Sequence, residues 1–170
     1  EYGKVHFETA RAVRLLGILL RDNGEYPEAQ RLLERSITVF EKTLGADDAE
    51  VAASLYHLGW LFKLAGLPQQ AKPVYARAVR IFEATLGTDN TQFAWCLSDL
   101  AVVNENLGDY EASRRLQERA LAIVTRLQGP DHPDVGAMLG NLGLVMLRKG
   151  DAQQAASVCE RALSIQERAL

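Results

Sequence analysis

The chain has 170 residues and a net charge of −3, with 48% hydrophobic and 24% charged residues. These values suit one domain or one short repeat array and exclude a disordered chain. They also argue against a nucleic-acid or acidic-membrane partner, which would call for a concentrated basic surface. The densest apolar stretch, LLGILL at 15–20, falls far short of the roughly 20 residues that span a bilayer. No signal peptide opens the chain, and it starts at Glu1 without a methionine, so a piece of a longer, cytoplasmic protein is expected. Cys96 and Cys159 stand far apart without metal-type spacing, which fits two reduced thiols.

The predicted elements repeat in chain order. Gly24, Gly66, Gly108 and Gly150 recur every 42 residues, within RDNGEYPEAQ, KLAGLPQQAK, NENLGDYEAS and LRKGDAQQAA. A second set lies between them: GADDAEV (45–51), GTDNTQF (87–93) and GPDHPDV (129–135), with KVHFET (4–9) a worn copy at the start. Four units follow, at about 5–46, 47–88, 89–130 and 131–170.

Each unit reads as two helices. In unit 2 the first helix is expected over about 48–64, because Val51, Leu55, Leu58, Gly59 and Phe62 recur at helical spacing on one face. Gly66 fits a left-handed stop, and Pro68 suits the first turn of a second helix that runs to about Leu86. Ala71, Val74, Tyr75, Ala78 and Phe82 form the apolar stripe of that helix. No segment alternates as a strand would.

Small residues hold fixed slots. Gly17, Gly59, Ala101 and Gly143 share one in the first helices. Ala29, Ala71, Ser113 and Ala155 share one in the second helices, and Ser36, Ala78, Ala120 and Ala162 another. Small side chains let two helices approach closely. Leu16, Leu58, Leu100 and Leu142 are expected to fill the space beside them. Unit 3 matches the repeated pattern most loosely, since Asn104 and Gln117 replace large apolar residues.

GPDHPDV contains metal-type residues, but its sister segments do not share them. Asp131 is expected to cap the following helix, with Asp134 completing a capping-box-like pattern. Asp47/Glu50 and Asp89/Gln92 are the matching pairs. His6 and His57 lack companions for a metal site. No catalytic constellation can be assembled, and the isolated glycines form no phosphate loop. No metal, cofactor or enzymatic activity is therefore expected.

Taken together, Leu55, Leu58, Gly59, Phe62, Gly66, Ala71, Tyr75 and Ala78 resemble the tetratricopeptide repeat. The 42-residue unit, with GPDHPDVGAMLGNLGLV (129–145) and AKPVYARAV (71–79), resembles the kinesin-light-chain-like subtype. The usual closing proline is replaced by Glu41, Glu83, Thr125 and Glu167. The resemblance implies an all-α fold, a right-handed α-solenoid of four hairpins and eight helices, forming a single array.

It further implies a protein–protein interaction scaffold whose first helices line a concave groove. Carried over by position, that surface takes Arg11, Arg14, Ile18 and Arg21 from unit 1, and Ala53, Tyr56, His57, Trp60 and Lys63 from unit 2. It takes Trp95, Ser98, Asp99, Val102 and Glu105 from unit 3, and Asn141 and Leu144 from unit 4. The family often uses asparagine at the Asn141 slot to bond a ligand's backbone; Leu15, His57 and Asp99 hold that slot in the other units. Trp60 and Trp95 are the only tryptophans, and with the arginines they suit a partner bearing acidic and apolar side chains. The alternative is that both indoles wedge between units as core. Two other roles stay open: a sensor region packed on the NTPase or effector domain of a larger signalling protein, and a self-associating module.

Overall fold

A computed structural model describes the backbone of residues 2–169 and the side chains of residues 6–169. Among the described residues all regular structure is helical. The chain divides into two compact units, residues 1–87 and 88–170. The first holds α1 (Tyr2–Asp22), α2 (Tyr26–Leu44), α3 (Ala49–Leu64) and α4 (Pro68–Leu86). The second holds α5 (Thr91–Asn106), α6 (Tyr110–Gln128), α7 (Pro133–Lys149) and α8 (Ala152–Arg168). Within each unit consecutive helices pair as hairpins, and the second helix of one hairpin packs on the first helix of the next.

Every first helix ends the same way. After α3, Gly66 takes φ +70°, where a β-carbon would clash with the backbone. Leu67 N–H then donates to Phe62 O at 2.8 Å and Gly66 N–H to Lys63 O at 3.2 Å. This 6→1 and 5→2 pair satisfies carbonyls that the helix leaves open. The same pair recurs from Glu25 and Gly24, from Asp109 and Gly108, and from Asp151 and Gly150. Four local stops, not a tertiary constraint, therefore set the 42-residue period.

The hairpins close on the small slots. A β-carbon on Gly59 would lie 2.9 Å from the Tyr75 ring, and one on Gly17 would lie 3.0 Å from Leu33 Cγ. The slot from Ala29 to Ala155 and the slot from Ser36 to Ala162 are buried throughout. Around them the first unit buries Leu33, Phe40, Leu61, Tyr75 and Ile81, and the second buries Phe93, Leu97, Met138 and Ile165.

Two expectations need correction. Leu58, Leu100 and Leu142 are buried, Leu58 where α2 packs on α3 and Leu142 where α6 packs on α7, but Leu16 on α1 is 49% exposed. Unit 3 is polar inside. Gln117, fully buried, accepts from Ser98 Oγ at 2.9 Å and donates to Ser98 O at 3.3 Å. Asn104 is buried too and donates to Leu100 O at 2.9 Å.

The second correction moves the helix caps by one residue. Asp48 accepts from Glu50 N–H at 2.8 Å, Asn90 from Gln92 N–H at 2.8 Å, and His132 Nδ1 from Asp134 N–H at 3.2 Å. Asp131 is not the cap. It pairs with Arg168 at 2.8 Å, as Asp89 pairs with Arg126 and Asp47 with Arg80 at 3.0 Å. Each linker aspartate thus ties the start of a repeat to the end of its own second helix, while the next residue caps.

Candidate functional site: the inner faces of the first helices

In the first unit the expected surface residues of α1 and α3 meet. They border a cleft of about 420 Å³ with apolar walls from Ala12, Leu15 and Ile18. Its polar lining is Glu8, Arg11, Arg14 and His57. Both helices point this face the same way because α1 and α3 occupy equivalent places in successive hairpins.

Most of the cations here already have partners in the chain. Arg14 forms an ion pair with Glu50 at 2.6 Å, also donates to Glu50 O at 3.2 Å and Ser54 Oγ at 3.4 Å, and lies over the Phe40 ring. Arg21 is only 3% exposed: it pairs with Asp22 at 2.7 Å and lies 4.1 Å from the centroid of the Trp60 ring. Lys63 approaches the same indole at 5.7 Å. Trp60, half-buried, is thus flanked by two cations, and cation–π attraction strengthens with desolvation. Tyr56 packs edge-on against Tyr75 and His57 and tilts against Trp60. Arg11 is exposed, 5.6 Å from the Phe7 ring centroid.

His57 closes this cluster. Its Nδ1 lies 3.3 Å from Arg21 Nη1. Burial, reinforced by the charges of Arg21 and Arg14 and opposed by Asp22, lowers its pKa from 6.5 to about 4. The ring is therefore neutral at pH 7.

The second unit carries a different inner face. Asn141 Nδ2 donates to Ser98 Oγ at 3.3 Å, which joins it to the buried Ser98–Gln117 pair. Its amide is thereby partly committed inside the protein. Trp95, Asp99 and Val102 are half-buried, as is Ala53 on α3 of the first unit, and Leu144 is 53% exposed. Glu105 borders a small polar recess of about 220 Å³ with Asn106, Tyr110 and Arg148. Burial raises its pKa, against the pull of Arg148 at 3.7 Å. The Gln117 network escaped the sequence reading. Its signal was a polar residue in the slot of Leu33, Tyr75 and Cys159.

Among the described residues no group of three His, Cys, Asp or Glu side chains could hold a metal ion, and no helix is long and apolar enough to cross a membrane. Cys96 is buried, which pushes its thiol pKa up and away from a nucleophilic thiolate; Cys159 is exposed, and no disulfide joins the two.

Comparison with known proteins agrees with this architecture. The structure of BtubC (BKLC) from P. vanneervenii superposes with a TM-score of 0.86 at 25% identity, over 94% of this chain and 63% of that one. The chain thus spans less than two thirds of BtubC's length. A variant of a Podosopora anserina protein, described by the words "kinesin light chain nearly identical TPR-like repeats", gives 0.84 at 25% identity, over 97% of this chain and 78% of its own. The apo form of RapI gives 0.83 at 11% identity, over 96% and 44%, a likeness of fold alone. A search of the curated proteins finds no match. The tetratricopeptide repeat family model matches residues 8–84 and 92–168, nearly the whole chain. With its paired helices, its 42-residue stops and its small-residue slots, the chain belongs to the tetratricopeptide repeat family.

Proposed function

We infer that this chain, like tetratricopeptide repeats in general, is a protein-interaction scaffold and not a catalyst. We propose that this chain is a single array of four repeats that binds a peptide or protein segment along the inner faces of its first helices. The cleft between α1 and α3 carries this reading, since it joins apolar walls to a charged rim. The Arg14–Glu50 ion pair and the stacking of Arg21 on Trp60 join α1 to α3 before any ligand arrives, which lowers the ordering cost of binding. The candidate residues are Arg11, Arg14, Arg21, Tyr56, His57, Trp60 and Lys63 in the first unit, and Trp95, Asp99 and Asn141 in the second. The partner offers acidic and apolar side chains, and the setting is cytoplasmic.

Selection of a random peptide library displayed on phage tests the reading. Peptides should be enriched, and Ile18→Asp should weaken them about tenfold or more with helicity unchanged. Enriched peptides that ignore Ile18→Asp would place binding elsewhere.

A second reading rests on the outer face of α1. Leu16 and Leu19 are 49% and 57% exposed, whereas their equivalents Leu58 and Leu61 are buried where α2 packs on α3. A second copy could cover that face and make the array self-associating. Light scattering at rising concentration decides: Leu16→Glu should abolish any growth in mass, and a strict monomer removes this reading.

A further inference from the structure

Successive hairpins within each unit join through the same slots. In the second unit Leu121 of α6 packs against Leu142 and Met146 of α7. In the first unit the slot of Leu121 holds Ile37 of α2 and the slot of Leu142 holds Leu58 of α3, both buried where α2 packs on α3. Carried along the 42-residue period, the slot of Ile37 and Leu121 falls at Leu163 on α8, and the slot of Leu58 and Leu142 at Leu16 on α1. Leu163 is 58% exposed and Leu16 is 49% exposed.

Whole faces are open in this way. Cys159, Leu163 and Gln166 on α8 are exposed, while Leu33, Ile37 and Phe40 at the same positions of α2 are buried. Leu16 and Leu19 on α1 are exposed, while Leu58 and Leu61 on α3 are buried. The chain thus carries both halves of an interface that it already builds internally, and among the described residues neither half is covered. Charge extends the match. Glu41 near the end of α2 pairs with Arg77 of α4 at 2.7 Å. The same slots hold Glu167 on α8 and Arg35 on α2, both exposed.

We propose that α8 of one copy of this chain packs on α1 of a second copy, in the register that α2 keeps on α3, so that Leu163 enters beside Leu16 and Leu19 and Glu167 meets Arg35. The proposal rests on the self-association reading above and says which face of the second copy covers α1. Continuity with the internal interface selects a second copy as the occupant, because α8 repeats the pattern of α2, and the charges at the rim are complementary in that register. The two patches differ, so the contact is heterologous: each joined pair keeps one unused α1 face and one unused α8 face, and further copies can add. A contact of α1 with α1 would instead be isologous, stop at two copies and leave the α8 face bare. Leu163 is the one large apolar side chain among the three that α8 exposes at these positions, so the contact belongs to the weak class that forms at high protein concentration.

Two complementary blocked variants test this by light scattering from micromolar to millimolar protein, under reducing conditions because Cys159 is exposed. Leu16→Glu and Leu163→Glu alter exposed positions and should keep full helicity by circular dichroism. The unmodified chain should grow past the mass of a dimer, and each variant alone should stay monomeric. Their equimolar mixture should form a one-to-one complex and grow no further, because the open α8 of the Leu16→Glu copy meets the open α1 of the Leu163→Glu copy. Glu167→Arg should weaken association of the unmodified chain by about fivefold, and adding Arg35→Glu to the same chain should restore it. A Leu163→Glu variant that still associates while Leu16→Glu does not would mean that α1 pairs with itself; the proposal then falls and the self-association reading survives. A mixture that stays monomeric, or a Glu167→Arg loss that Arg35→Glu leaves in place, also overturns the proposal. A strict monomer of the unmodified chain at millimolar concentration overturns both and leaves the α1 face to a different occupant.

Discussion

Gly59 and Gly140 are both helical glycines, and space alone separates them. A β-carbon on Gly59 would meet the Tyr75 ring at 2.9 Å, and Tyr75 is fully buried, so the ring has nowhere to go. Gly59→Ala should therefore cost about 1–3 kcal/mol, the usual size of core overpacking. Nothing lies within 4 Å of a β-carbon on Gly140, so Gly140→Ala should stabilise by about 0.5–1 kcal/mol through helix propensity. Urea unfolding of the two variants checks both signs. His57 supplies a pH prediction at the same scale. Its pKa falls from 6.5 to about 4 on folding, so between those values the unfolded chain binds more protons. The stabilising contribution is complete above pH 6.5 and is lost as pH falls toward 4. At 1.36 kcal/mol per unit its ceiling is about 3 kcal/mol. His57→Gln should flatten this part of the stability–pH curve. A curve of unchanged slope would show that other groups dominate.

At the scale of the helix, the caps decide between two adjacent aspartates. Asp48 accepts a backbone N–H, whereas Asp47 forms an exposed pair with Arg80. A lost cap costs about 0.5–2 kcal/mol, and an exposed ion pair is worth roughly 0–1 kcal/mol. Asp48→Ala should therefore lower the unfolding midpoint more than Asp47→Ala, and Asn90→Ala more than Asp89→Ala; a reversed order in thermal melts would contradict the assignment. Sequence alone pointed one residue early, because either aspartate has the chemistry of a cap and only backbone geometry chooses. What the sequence did carry was local. Gly66 and its three sisters end helices through bonds among neighbours, so their period could be read directly. The pairing of Asp89 with Arg126 spans 37 residues, and that of Arg14 with Glu50 spans 36. Such partners come from other helices, and no spacing rule reveals them. For the same reason Arg14 and Arg21 read as ligand-binding cations, while the structure gives them partners within the chain.

At the scale of the whole molecule, contacts within each unit run between helices next to each other in sequence or one apart. Stability in such a chain is close to a sum of hairpin terms and neighbour terms, so damage to one hairpin need not spread far. The two tryptophans make this measurable, because Trp60 lies in the first unit and Trp95 in the second. In a Trp95→Phe background the fluorescence reports residues 1–87, and in a Trp60→Phe background it reports residues 88–170. Leu33 is fully buried beside the Gly17 slot, so Leu33→Ala should remove about 2–5 kcal/mol from the first unit. The Trp60 signal should then shift to lower denaturant by that amount, and the Trp95 signal by clearly less. Coincident shifts would show one all-or-none transition and a neighbour term between the units larger than the damage done. Separate shifts would mean that the first unit, which carries the α1–α3 cleft, can loosen while the second stays folded. Binding in that cleft would then stabilise the first unit selectively, by an amount set by ligand concentration over dissociation constant.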